Sequence, residues 1–183
     1  MKGLYAPFCF KEFVLFLKSV IFVLSLTLSL APTFTEAKEK AKVYHVCKKT
    51  DSSRDILACA MYAEGRGEGS KGMMLIGNTI INRTNDNQFP DRIRGVVFQK
   101  KQFSYTHEGT VYIRDKKSWE KAQNLSKGLI YLEENFPELR SLQDPSRGAI
   151  YFVKKGHNIS WVKYKVKTFK YKNHIFYRDK NAN

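Results

Sequence analysis

The sequence is short of acidic residues, cysteine and proline. Its 183 residues include 17 Asp and Glu against 32 Lys and Arg, which gives a formal net charge of +15. Three cysteines exclude a disulfide-dense mini-protein, and 11 glycines with five prolines exclude a collagen-like chain. At 43% hydrophobic and 14% aromatic residues, the chain is too apolar for intrinsic disorder. One domain with a sizeable core is therefore expected.

The usual signatures of metal, cofactor and nucleophile chemistry are also missing. The sequence has no H-E-x-x-H, no G-x-S-x-G and no P-loop. The glycines at 65, 67 and 69 follow a predicted helix rather than a strand, which argues against dinucleotide binding. The histidines lack the spacing of metal ligands; they are His45, His107, His157 and His174. We therefore expect no metal and no cofactor.

The N-terminus has the three parts of a secretion signal. Residues 1–18 carry three lysines, residues 19–31 form an apolar run, and Thr35-Glu36-Ala37 offers small residues for cleavage. This pattern predicts a signal peptide over residues 1–37 and an exported protein of the periplasm, cell wall or extracellular space. The alternative is an uncleaved anchor, and only then would the membrane be a partner.

The exported part is strongly basic. Cleavage after Ala37 would remove three lysines and two glutamates and leave a net charge of +14. Such a domain is attracted to anionic polymers: wall glycans with teichoic acids, lipid headgroups or extracellular nucleic acid. Charge alone does not choose among them, but the export signal argues against a nucleic acid partner. Residues 38–52 are expected to be a basic linker, and residues 53–183 the working domain.

Two cysteines remain after cleavage, because Cys9 lies in the signal. Cys47 and Cys59 would meet an oxidising compartment, where they can pair. Cys59 lies on the apolar stripe of a predicted helix, where a buried free thiol is common and a catalytic nucleophile is not expected. The sequence leaves both the disulfide and the free thiols open.

Helical periodicity dominates the first two thirds of the domain. Apolar spacing predicts helices from about Arg54 to Glu64, from Lys71 to Arg83 and from Ser118 to Phe136, with a short helix over Ile93–Gln99. Residues 100–117 are expected to form a polar loop. Three short strands follow after Gly148, over residues 149–153, 163–168 and 174–178. The order predicts an α+β fold with a small antiparallel sheet in the C-terminal part.

Glu64 is the residue that points most clearly to chemistry. It lies four residues after Ala60 and seven after Leu57, so it continues an apolar stripe rather than a solvent face. Desolvation there raises the pKa of a carboxyl and makes it a proton donor near neutral pH. Arg66 and Glu68 are expected to orient it or to pair with each other. The alternative is an ordinary helix end with exposed charges.

Two asparagines share one face of the second predicted helix. Asn78 and Asn82 are four residues apart, and buried amides need hydrogen-bond partners. They either tie down neighbouring loops or face a polar cleft, and the sequence leaves both open.

Several ordered motifs together resemble a known family. They are Ala60–Glu68, Asn78–Arg83, Phe89-Pro90, Ile93–Val97 and Gln102–Ser104, followed by Asp144-Pro145, Gly148-Ala149 and Asn173–Tyr177. In this order and spacing they resemble the catalytic region of SleB-type cell wall hydrolases, the spore cortex-lytic enzyme family. One departure is Gly65, where the family often has alanine; the glycine is expected to loosen the helix end.

The resemblance implies a lysozyme-like helical core and an enzyme that cuts the MurNAc–GlcNAc glycan strands of peptidoglycan. It implies that Glu64 is the catalytic acid, with Glu68 and Arg66 in supporting roles. The candidates for lining the cleft are Tyr62, Asn82, Gln102, Phe103 and Ser104. A monomer without cofactor is expected, with anionic wall polymers as further partners.

The reaction type has several alternatives. One clear acid and no assured second carboxylate favour a lytic transglycosylase, in which a single Glu serves both steps. A muramidase-type hydrolase would need a second carboxylate. A wall amidase would need zinc or Cys/His chemistry, for which no pattern is present, and a basic wall-binding module would make Glu64 incidental.

Overall fold

The computed structural model describes residues 42–108 and 110–180. Within these residues, no helix combines the length and the apolar composition needed to cross a membrane. The predicted signal peptide, residues 1–37, lies outside the described residues, as does Cys9.

Two consecutive helices form the centre of the fold. The first, α1, spans Ser53–Gly65; the Ser52 hydroxyl caps it by accepting a hydrogen bond from the Asp55 amide at 3.2 Å. A 3₁₀ turn, Arg66–Glu68, leads directly into α2, Gly69–Thr84. The helix end predicted near Glu64 is confirmed within one residue. The second helix begins two residues earlier than predicted, because the glycine-rich stretch is itself helical over most of its length.

Four further helices surround this pair. They are α3 (Ile93–Val97), α4 (Tyr105–Glu108), α5 (Lys116–Asn135) and α6 (Pro137–Leu142). The long helix α5 is capped by Asp115, whose carboxylate accepts from the Ser118 amide at 3.0 Å. It packs against both α1 and α2, and its stripe, Trp119, Ala122 and Leu129, is buried in the core.

The three predicted C-terminal strands form one antiparallel sheet. The strands β3 (Tyr151–Lys154), β4 (Val166–Tyr171) and β5 (His174–Arg178) lie in the order β3-β5-β4. Strand β4 begins three residues later than predicted, because Ser160–Tyr164 form a 3₁₀ turn. An irregularity between Lys167 and Phe169 then shifts its register against β5. The helical core with its small C-terminal sheet confirms the predicted α+β class.

The predicted linker and the predicted polar loop meet in a two-stranded ribbon. Strand β1 (His45–Val46) pairs antiparallel with β2 (Tyr112–Ile113), and a disulfide joins Cys47 to Cys59 of α1. The ribbon and the disulfide tie this part of the 38–52 segment to the domain, so from about residue 44 it is not a free linker. The 100–117 segment likewise contains α4 and β2 rather than loop alone.

Gly65 marks the closest approach between α1 and α2. A Cβ atom placed on it would lie 2.8 Å from the Met73 amide nitrogen and 2.9 Å from the Met73 Cα. Contrary to the expectation from the sequence, the glycine does not loosen the helix end. It lets the last turn of α1 pack directly on the backbone of α2.

We expect Gly65→Ala to destabilise the protein by about 1–3 kcal/mol, which is typical of overpacking against atoms that cannot move aside. Alanine gains up to about 1 kcal/mol of helix propensity over glycine, but the backbone contact outweighs this gain. Gly67→Ala is the matched control, because no atom lies within 4 Å of its Cβ position. Urea denaturation of the two variants provides the measurement. Equal or greater stability of Gly65→Ala than of Gly67→Ala would contradict the packing argument.

Candidate active site

The Glu64 carboxyl lies half-buried in the last turn of α1. Burial raises its pKa above the ordinary value, and the nearby charges of His174 and Lys154 counteract part of that increase. The apolar stripe of α1 thus leads to a partly desolvated carboxyl, as the sequence predicts. Such a group holds its proton to higher pH than an exposed glutamate does.

The phenol of Tyr105, in α4, lies close enough to Glu64 for the two groups to interact electrostatically. Burial raises the pKa of this phenol, and the Glu64 carboxylate raises it further. Its hydroxyl is buried and has no hydrogen-bond partner among the described residues. Most buried hydroxyls are hydrogen-bonded, so this one is available to a ligand or to water.

Glu68 and His174 form a buried pair beside Glu64. Glu68 is 5% exposed and His174 6% exposed, and the Glu68 Oε1 atom lies 2.9 Å from His174 Nδ1. The same oxygen accepts a hydrogen bond from the Asn173 amide at 3.0 Å. The other carboxylate oxygen, Oε2, is buried without a hydrogen-bond partner among the described residues. Glu68 therefore fixes the start of β5 against the 3₁₀ turn that follows Glu64.

Arg66 and Tyr62 pack on each other rather than on the acid. The Arg66 guanidinium lies 4.8 Å from the centre of the Tyr62 ring, so Arg66 does not form the expected pair with Glu68. Tyr62 is 3% exposed, packs edge-on against Trp119 and accepts a hydrogen bond from the Asp115 amide at 3.3 Å. Its ring lies in the core between α1 and α5, and its assignment to the cleft stays a prediction.

Asn82 connects a loop to α2. Its Nδ2 atom donates to Asp144 Oδ2 at 2.8 Å and to the Ala149 carbonyl at 3.0 Å. Its Oδ1 atom accepts from Arg140 Nη1 at 2.6 Å. Of the two roles that the sequence left open, tying down a loop is the one the structure supports. The amide of Asn82 is engaged by the protein itself, and its assignment to the cleft stays a prediction.

The segment before α4 divides between core and surface. Phe103 is 1% exposed and packs against Tyr105 and Phe152. Its assignment to the cleft stays a prediction. Gln102 is half-buried and Ser104 is exposed, and they lie three residues and one residue before Tyr105, the first residue of α4. They stay candidates by position.

Sequence reasoning missed three residues near Glu64: Tyr105, Lys154 and His174. His174 belongs to the Asn173–Tyr177 motif, which was noted without a role. Its separation of 110 residues from Glu64 gave no local signal. Tyr105 lies in a segment predicted as a polar loop, and Lys154 directly follows a predicted strand. Both patterns are common in proteins, so neither indicates a functional residue.

Three residues of β1, its flank and α1 bring together side chains of the kinds that bind metal ions. His45, Cys47 and Cys59 place their ligand atoms within 4.8 Å of one another. The disulfide occupies both sulfurs, and His45 Nε2 lies 3.0 Å from Asp51 Oδ2. In this arrangement the cluster stabilises the ribbon rather than holding an ion.

The chain matches a family profile described as cell wall hydrolase. The match covers residues 67–177, more than half of the chain. It begins three residues after Glu64 and includes Glu68, Tyr105, Lys154 and His174.

Several curated proteins share part of the sequence. The chain is 29% identical to a spore cortex-lytic enzyme of Halalkalibacterium halodurans over 103 residues, which cover 56% of this chain and 27% of that protein. It is 38% identical to the spore cortex-lytic enzyme of Bacillus subtilis over 65 residues, which cover 34% and 21%. It is 34% identical to the cell wall hydrolase CwlJ of the same species over 77 residues, which cover 40% and 54%. The matches thus span about a quarter of the spore cortex-lytic enzymes and about half of CwlJ.

Solved structures share the fold. The catalytic domain of the germination-specific lytic transglycosylase SleB from Bacillus anthracis has a TM-score of 0.53 and 24% identity, over 72% of this chain and all of that chain. The catalytic domain of Bacillus cereus SleB has a TM-score of 0.52 at the same identity, over 69% and 91%. Both have the combination of helical core and small sheet found in this chain.

Proposed function

Because this chain belongs to the cell wall hydrolase family, we propose that it is an exported enzyme that cleaves the glycan strands of peptidoglycan, with Glu64 as its catalytic acid. One observation carries the proposal: a half-buried carboxyl with a raised pKa, positioned where α1, α4 and β5 meet. Perturbed carboxyls at such junctions are typical of acid catalysts.

In the first step, protonated Glu64 donates its proton to the glycosidic oxygen that follows N-acetylmuramic acid. The bond between that oxygen and the muramoyl C1 breaks, and positive charge develops on the sugar ring. Glu64 becomes a carboxylate. The cations of Lys154 and His174, which oppose the rise in its pKa, stabilise that negative charge.

In the second step, the Glu64 carboxylate accepts the proton of the muramoyl C6 hydroxyl while that oxygen attacks C1. The new bond closes a 1,6-anhydro ring, and Glu64 regains its proton for the next cycle. No water is consumed, so the net reaction is a lytic transglycosylation.

The position of Glu68 supports this single-carboxylate reaction over a hydrolytic one. A retaining or inverting hydrolase needs a second carboxylate about 5–9 Å from the first, free to act on the sugar or on water. Glu68 is the nearest candidate in sequence, but it is buried and holds the Asn173 amide and His174. We infer that Glu68 is a positioning residue that orients His174 toward Glu64.

Analysis of the products from purified peptidoglycan tests the proposed function. We expect the chain to release muropeptides whose stem peptides are still attached to sugars, because only glycosidic bonds are cut. Mass spectrometry of the soluble fraction provides the measurement, with heat-unfolded protein as the control. Free stem peptides beside intact glycan strands would contradict the proposal and favour an amidase. Binding without any release would favour a wall-binding module.

A further inference from the structure

Three cations surround two aromatic rings on the surface next to the proposed active site. The Lys71 Nζ atom lies 5.1 Å from the centre of the Phe169 ring and 5.3 Å from that of Tyr171. The Arg147 guanidinium lies 5.5 Å from the Phe169 ring, and the Lys172 Nζ atom 5.6 Å from the Tyr171 ring. We refer to Lys71, Arg147 and Lys172 as the cation cluster.

The charges of the cation cluster are not neutralised by the protein. All three residues are exposed, and none of them forms an ion pair with a carboxylate within the described ranges. Lys172 Nζ donates instead to the backbone carbonyl of Glu68 at 3.1 Å. Like charges gathered without a counter-charge repel each other, and an anionic ligand would relieve that repulsion.

Two of these cations are held by unfavourable backbone conformations. Arg147 has a φ of 58° and Lys172 a φ of 44°, in the left-handed region that favours glycine. Lys172 lies in the tight turn between β4 and β5, where glycine, asparagine or aspartate is usual. Residues kept in such conformations are often found at ligand sites.

The cation cluster borders the proposed active site. Tyr171 is the register partner of His174 across the β4–β5 turn, and His174 pairs with Glu68. Lys172 touches the backbone of Glu68, and Lys71 lies three residues beyond Glu68 at the start of α2. A strand of sugars bound at Glu64 would therefore carry its attached groups past these cations.

We propose that the cation cluster binds the carboxylates of the stem peptides of the glycan strand that is cut. This inference rests on the proposed function, because it takes the polymer at Glu64 to be peptidoglycan. The sugar backbone of that polymer is uncharged, and its stem peptides carry the carboxylates. Continuity with the Glu64 site favours these carboxylates over the phosphates of a separate wall polymer, since stem and sugar are covalently joined.

The test compares binding to glycan strands with and without stems, at physiological ionic strength. The cluster variant is Lys71→Gln, Arg147→Gly and Lys172→Gly, in which glycine suits the positive φ. The control variant is Lys116→Gln, Lys117→Gln and Lys127→Gln, which removes the same charge from α5. Both are made in the full chain carrying Glu64→Gln, so that the polymer is not cut. Co-sedimentation gives the affinities for teichoic-acid-free peptidoglycan and for the same glycan stripped of stems by an amidase.

We expect the cluster variant to bind stem-bearing peptidoglycan about tenfold more weakly, because each exposed ion pair contributes a few-fold at most. Its affinity for the stem-free glycan should be unchanged. The control variant should lose less than about threefold, because exposed charges away from a ligand are screened within about 8 Å at physiological salt and only weakly felt beyond.

Three results would overturn the stem-binding inference. The first is an equal loss on both polymers. The second is an equal loss in both variants. The third is a loss that appears only when teichoic acids are left on the wall, which would assign the cation cluster to phosphate. The proposed enzymatic function can be contradicted independently of stem binding. A wild-type chain that binds stem-bearing peptidoglycan through the cation cluster but cuts no glycosidic bond would contradict the enzymatic function and leave the binding inference standing.

Discussion

Replacing Glu64 with glutamine is expected to lower the rate of peptidoglycan cleavage about 10²–10⁴-fold, the usual contribution of general acid–base catalysis. Glutamine preserves the size and shape of the side chain but has no acidic proton to transfer to the glycosidic oxygen. It also cannot accept the proton of the C6 hydroxyl in the second step. The rate is measured as the release of soluble muropeptides from purified peptidoglycan.

The same variant is expected to be more stable than the wild-type protein at neutral pH. Because burial raises the pKa of the Glu64 carboxyl above 4.5, the folded state holds this proton more tightly than the unfolded state. The wild-type protein therefore loses stability as the pH rises from about 4.5 through the raised pKa. Glutamine does not titrate. The difference in melting temperature between Glu64→Gln and the wild-type protein should therefore shrink as the pH falls below about 4.5.

This pair of readouts separates loss of chemistry from loss of fold. Activity should collapse while the melting temperature at neutral pH rises. Wild-type activity in Glu64→Gln would remove Glu64 from the mechanism. A lower melting temperature at neutral pH would contradict the desolvated environment from which its role is argued.

Replacing Glu68 with glutamine is expected to lower kcat about 10²-fold with little change in KM, because a small displacement of a positioned group can cost that much. Glutamine still offers an oxygen to the Asn173 amide but removes the negative charge 2.9 Å from His174 Nδ1. Weakening a contact between buried polar groups typically costs about 1–3 kcal/mol of stability. The variant is therefore assayed at a temperature where it remains folded.

A double-mutant cycle with His174→Gln tests the coupling. If Glu68 acts through His174, the two substitutions should be strongly non-additive in kcat, and the double variant should resemble the single ones. Additive effects would contradict a positioning role. A loss in Glu68→Gln equal to that in Glu64→Gln, with full stability and an altered pH profile, would make Glu68 a second catalytic carboxylate.

The helices were predictable because their information is local. The apolar stripe of α1 and the stripe of α5 each repeat at helical spacing within a single segment. The two-stranded ribbon was not predictable, since each of its strands has only two residues and its partner lies more than 60 residues away. The disulfide stayed open for the same reason: cysteine pairing depends on a geometry that the ribbon creates.

The partly desolvated carboxyl of Glu64 was predictable and its surroundings were not. The position of Glu64 follows from a carboxyl placed on an apolar stripe. The burial of the Tyr62 and Phe103 rings, in contrast, depends on core packing that the sequence does not show. Asn82 has the ambiguity of any buried amide, which the loop at Asp144 resolves. His174 reaches the site through the sheet, and no pattern along the chain indicates a contact across 110 residues.

Digestion of purified peptidoglycan in ¹⁸O-labelled water, followed by mass spectrometry, is the most direct test of the proposed reaction. It asks whether the muramoyl C6 hydroxyl attacks C1 of the same sugar, with Glu64 as acid and base. The predicted products end in 1,6-anhydro-N-acetylmuramic acid, are lighter by one water than hydrolytic products and carry no label. They should be absent from digests with Glu64→Gln. Incorporation of ¹⁸O at the new muramoyl C1 would contradict the account, because it would show that water, rather than the C6 hydroxyl, attacks that carbon.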